Sequence, residues 1–269
     1  MIPKALGRVS MLARVLRVGM TAACLMYLIP CKADTLNWGA AGIAWTAGNL
    51  TQSFTVNGTT ITITVSGNTG QIINQFGGPT PREANNLTPG TGSPSLHLAA
   101  DYTNTTQSLT VTFTFSRQIA NLAFTIYDVD YSASGSPFQD QIRNISASFG
   151  TSTYNATVTA STANQAANSG LANATITGIA TNVDGSAGGD GNGGISFGSQ
   201  GITSASFTWG SGPGAPTNPF QQWIAISNLD YTVVPEPSTW VGLVLLIVLV
   251  LGYEIRRRMG FRGASTVRS

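Results

Sequence analysis

Apolar and polar residues alternate with a period of two through most of this chain. The clearest stretch is Ser53-Phe54-Thr55-Val56, then Asn57-Gly58, then Thr59-Thr60-Ile61-Thr62-Ile63-Thr64-Val65. Phe54 and Val56 fall on one face of a first strand. Ile61, Ile63 and Val65 fall on one face of a second, with threonine on the other. Asn-Gly reaches two positive φ angles at little cost, so it predicts a tight type I′ hairpin turn between them. Leu109, Val111, Phe113 and Phe115 then alternate with Thr and Ser, and after a break at Arg117-Gln118 the alternation resumes at Leu122, Phe124 and Ile126. Further strands are predicted over 142–149, 153–159, 173–179, 194–198, 202–209 and 223–233, while residues 160–172 suit a helical turn or a loop equally. Roughly eight to ten short strands joined by Gly, Asn and Ser turns predict an all-β domain over 34–233, a two-sheet sandwich of jelly-roll type.

The alternation fails at both ends. Residues 1–17 carry Lys4, Arg8, Arg14 and Arg17 and no acid, and Val18 to Pro30 form an apolar run of 13 residues. Cys31-Lys32-Ala33 then places small residues at the −3 and −1 positions of a cleavage site. This is the layout of a secretory signal peptide over residues 1–33. The run falls short of the ~20 apolar residues that span a bilayer; an uncleaved N-terminal anchor is the alternative. Cleavage after Ala33 would remove Cys24 and Cys31, the two cysteines of the chain, so the exported part would hold no disulfide and would rely on a hydrophobic core.

Charge changes the picture further. Only 9% of residues are charged, against an ordinary quarter. The formal net charge of +2 hides a segregation, because between residues 34 and 234 three arginines (Arg82, Arg117 and Arg143) stand against nine acids. The part that would fold is acidic, so the basic pI is no argument for a nucleic-acid partner. The outward faces of the predicted strands are uncharged Thr and Ser. Low charge with high β-propensity favours aggregation, and such a surface suits a crowded, hydrated matrix outside the cell.

Candidate chemistry is sparse. His97 is the single histidine, so a Ser-His-Asp triad would have to use it, and no Gly-x-Ser-x-Gly elbow supplies the serine. Without cysteine or a second histidine, zinc has poor ligands. Asp128, Asp130 and, ten residues later, Asp140 form the best acidic set. They suit an oxygen-liking cation such as calcium, or Asx turns that cap a loop. Residues Asn121 to Asp130, with the aromatic stretch Trp223 to Tyr231, resemble β-sandwich modules of bacterial surface proteins. Some of those hold calcium at such an Asp-x-Asp. A second glycine-rich loop, Asp184 to Gly194, offers oxygen ligands without the spacing of an EF-hand. Trp209, Phe220 and Trp223 flank a Gly/Pro-rich loop, where aromatic faces beside Asn and Gln would hold a sugar; core packing is the other reading. The sequence therefore predicts no enzyme, although a secreted polysaccharide hydrolase and a purely structural adhesin stay open as alternatives.

The C-terminus carries the most specific signal. Val234-Pro235-Glu236-Pro237-Ser238-Thr239 precedes an apolar run, and Arg256-Arg257-Arg258 closes it. From Ser238 to Ile255 there are 18 residues with one charge, Glu254, close to the minimum for a spanning helix, predicted at about 239–255. Trp240 and Tyr253 sit at its ends as interface aromatics do, and the arginines would remain in the cytoplasm. These parts, in this order, resemble the PEP-CTERM sorting signal of bacterial exopolysaccharide-associated proteins, over residues 234–258. A tail, 259–269, runs on beyond the point where the family usually stops. The resemblance implies a membrane partner and an exosortase, a membrane-embedded protease that recognises the Pro-Glu-Pro element and cuts there. Two prolines hold the backbone extended and free of helix, which presents Glu236 to such a site. A permanent single-pass anchor is the alternative. The expectation is an exported surface or matrix protein whose β domain binds polysaccharide or a surface partner.

Overall fold

The computed structural model describes residues 33–87, 94–181, 189–235, 242 and 246–254. The chain divides into two units, Lys32–Val234 and a second made of Met1–Cys31 with Pro235–Ser269. In the second, residues 242 and 246–254 are helical, and among the described residues no helix is long and apolar enough to cross a membrane. The predicted signal peptide up to Lys32, Glu236 to Val241 and the arginine cluster with its tail lie outside the described residues.

The first unit is all-β. Its chain begins with β1 (Ala33–Leu36), β2 (Thr51–Val56), β3 (Thr59–Gly67), the short β4 (Asn74–Gln75), β5 (Gly78–Pro79) and β6 (Arg82–Ala84). Then come β7 (Ser95–Ala100), β8 (Ser108–Tyr127), β9 (Tyr131–Ser132), β10 (Phe138–Phe149), β11 (Ser152–Asn155) and β12 (Thr157–Thr159). The last six are β13 (Asn164–Ala167), β14 (Thr175–Gly178), β15 (Gly193–Ser196), β16 (Ile202–Ser211), β17 (Gln222–Ile226) and β18 (Leu229–Val233). Sixteen strands join in one antiparallel sheet, and β4 pairs with β5 apart from it. The hairpin from β2 to β3 has the predicted turn, with φ of 48° at Asn57 and 79° at Gly58. Residues 160–172, undecided from sequence, contain β13, which pairs with β14.

The sheet is built around β8, a strand of 20 residues. The break expected at Arg117-Gln118 is a bend inside this strand rather than a gap between two. Before the bend the odd positions Leu109, Val111, Phe113 and Phe115 are buried; after it the even ones, Leu122, Phe124 and Ile126, take over. A change of parity needs one residue out of step, as in a β-bulge. The register shifts here against both β16 and β18, and Asn121 takes a positive φ of 55°, a conformation Asn tolerates. The first half of β8 lies between β3 and β16, the second between β15 and the β17–β18 segment. In a straight strand Phe113 and Phe124 would stand roughly 35 Å apart, yet their rings meet edge to face at 5.2 Å. The strand therefore folds back, and its halves face each other across a core that Phe207 joins from β16. The expectation of two separate sheets is met instead by one curled sheet, because β8 runs through both layers.

Outside that core the registers align hydroxyls. One row crosses six strands through Thr51, Thr64, Thr112, Ser206, Ser146 and Asn155. The next runs through Ser53, Thr62, Thr114, Ser204, Ser148 and Thr153. Every residue of both rows is exposed or half-buried. At the β2–β3 edge neighbouring hydroxyls bond to each other, Thr51 to Thr64 at 3.3 Å and Ser53 to Thr62 at 2.7 Å.

Candidate functional site

Asp128 follows the last residue of β8 at a positive φ of 65°, and Asp130 and Asp140 approach each other where β10 begins. All three are buried. The Asp140 amide donates to the Asp130 carbonyl at 2.9 Å, and the Asp130 amide reaches Asp140 Oδ2 at 3.5 Å. Trp209 Nε1 donates to Asp140 Oδ1 at 2.8 Å. A carboxylate at 0% exposure needs such donors, because burying a charge without them is very costly. The Tyr102 hydroxyl donates to the Trp209 carbonyl at 3.2 Å. Burial first, and the nearby Asp140 charge second, push its phenol well above the ordinary tyrosine range. The arrangement ties the start of β10 to the end of β16. None of the three carboxylates is free. Among the described residues no group of three or more His, Cys, Asp or Glu side chains is placed to hold a metal ion. In the second glycine-rich loop, 184–188 lie outside the described residues. Asp190 offers its main-chain carbonyl to Ser161 Oγ and to the Ala163 amide.

The proposed sugar-binding aromatics divide. Trp209 is fully buried, edge to face with Tyr102 at 5.7 Å, so of its two readings core packing holds and the sugar-binding face does not. Its place follows from β16 itself, where Ala205, Phe207 and Trp209 share the core-facing parity. Trp223 is half-buried on β17, 6.2 Å from Phe76, and its Nε1 is buried without a hydrogen-bond partner. Phe220 is exposed.

His97 lies in β7 beneath Phe76, ring to ring at 4.8 Å, and is fully buried. Its Nε2 stands 2.9 Å from Ser95 Oγ, the contact a nucleophile-base pair would use. The charged neighbour of the ring is Arg82, a cation where a triad needs an acid. Burial, and then Arg82, lower the imidazole pKa to about 4, so the neutral ring is favoured near pH 7.

Of the residues predicted for sorting, Val234 and Pro235 are described and half-buried, and the Val234 amide donates to the Gln118 carbonyl at 3.0 Å. Glu236, Pro237, Ser238, Thr239, Arg256, Arg257 and Arg258 lie outside the described residues. Comparisons with protein-family models, with curated proteins and with solved structures find no match for the chain. The built feature that sequence reasoning only half saw is the hydroxyl face. Alternating Thr in β3 and β8 announces it, but its extension over β16, β10 and β11 depends on registers that no local pattern supplies.

Proposed function

We propose that this is an exported, non-enzymatic protein of a bacterial cell surface or extracellular matrix. Its signal peptide directs export. Its C-terminal segment is held in the membrane by the apolar helix and cut by an exosortase-type protease at the Pro-Glu-Pro element. The β domain, read as a sandwich of jelly-roll type, binds polysaccharide or a surface partner. One observation carries the reading: Pro235-Glu236-Pro237, an apolar run and Arg256-Arg257-Arg258 follow one another in that order directly after the last strand. The uncharged hydroxyl face of the domain suits the same setting.

Replacing Pro235, Glu236 and Pro237 by alanine tests it in cells that make an exosortase. The expected result on an immunoblot is a full-length form retained in the membrane fraction, with the shorter surface product lost. An unchanged surface product would rule out sorting through this element.

A further inference from the structure

We infer that the outer face formed by β2, β3, β8, β16, β10 and β11 is a binding platform for a single flexible chain of a neutral polysaccharide, which lies across the strands along the hydroxyl rows. The assignment rests on the proposed matrix role of the domain and names the surface and the ligand class. Each row offers one side-chain hydroxyl or amide per strand, and no member of either row is charged. Strands repeat at about 4.8 Å and same-face residues along a strand at about 7 Å, so the face is a two-dimensional array of groups that both donate and accept. An extended glycan advances by one ring over a distance close to one strand spacing. Side chains at the β2–β3 edge are held by their mutual bonds, which lowers the entropy lost on binding.

The same observations decide against other occupants. An anionic polymer meets no cation in the two rows; Arg143, opposite Thr208 in the neighbouring row, already donates to Gln141 Oε1 and the Ser211 carbonyl. A lipid surface would strip water from a dozen polar groups without replacing their hydrogen bonds. A crystalline surface is flat, whereas neighbouring strands rotate by roughly 20–25° each, so a face six strands wide turns by about 100° from edge to edge. A flexible chain follows that turn and a crystal cannot.

The test uses the detergent-solubilised full chain in native affinity gels containing dextran, hydroxyethylcellulose or, as the anionic comparison, alginate. A pull-down on microcrystalline cellulose runs beside them. The diagnostic variant pairs Thr112→Val with Thr114→Val, which removes two central hydroxyls while keeping shape and β-propensity. Thr114→Lys is the second variant, and Thr159→Val, outside both rows, is the control. Retardation by a neutral gel is expected, weakened about tenfold in apparent affinity by the Val pair, abolished by Thr114→Lys and unaffected by Thr159→Val, with melting temperatures preserved. Retardation that survives both row variants would overturn this face while leaving polysaccharide binding elsewhere on the domain. Retardation by alginate alone, capture by microcrystalline cellulose alone, or no retardation in any gel would overturn the inference. Processing at Pro-Glu-Pro, read separately on immunoblots, reports on the sorting proposal independently.

Discussion

His97 gives the molecule a pH response that can be worked out from one side chain. In the unfolded chain an imidazole titrates near 6.5; in the fold burial and Arg82 hold it near 4. Between those values the unfolded state binds a proton that the folded state refuses. The contribution is therefore fully present above pH 6.5 and is lost as pH falls towards 4, by about 3 kcal/mol in all. Because the chain has a single histidine, the fall between pH 6.5 and 5 belongs to it, and melting curves of His97→Gln should be flatter there than those of the parent. Glu83, whose carboxyl is raised by burial, works in the opposite direction, adding stability as pH falls through its raised pKa. Asp140 is the second residue whose setting decides its role. Trp209→Phe removes the indole donor from a buried carboxylate, and chemical denaturation should show a loss of about 3 kcal/mol. Neither role was legible in the sequence. His97 stands in the sequence as a lone histidine without catalytic company, and Asp140 fits a cation ligand or an Asx turn. Only burial and partners separate these possibilities. Trp209 is different: its parity with Phe207 already placed it inside, but the Gly/Pro loop beside it suggested exposure.

Among the elements, the hairpin from β2 to β3 was legible because Asn-Gly and strict alternation agree. The fold of β8 was not, because a parity change inside one strand looks the same in sequence as a break between two. What marks it is that β16 pairs on both sides of the bend, at Thr114 and again at Ile119, and that is a property of β16. β13 was invisible for a simpler reason: Asn164, Gln165, Ala166 and Ala167 carry no alternation. The crossing of β14 by the Asp128–Asp130 turn shows how closely elements meet here. A Cβ at Gly178 would overlap the Asp130 carbonyl, so Gly178→Ala must push β14 away from the turn. The expected cost is about 2 kcal/mol or more, seen as a lowered denaturation midpoint with an unchanged slope.

At the scale of the whole molecule, the segregation of charge and the pairing of the first and last strands act together. β1 lies antiparallel to β18, with Ala33 opposite Thr232, so the chain enters and leaves the domain at one pole. The Val234 amide makes the final backbone bond to the sheet, and Pro235 has no N–H with which to extend it. Among the described residues every ladder is complete before Glu236. On the proposed reading the tether would be severable: a cut beyond Pro235 would take no rung from the sheet, and a domain released there would keep its architecture and its hydroxyl face.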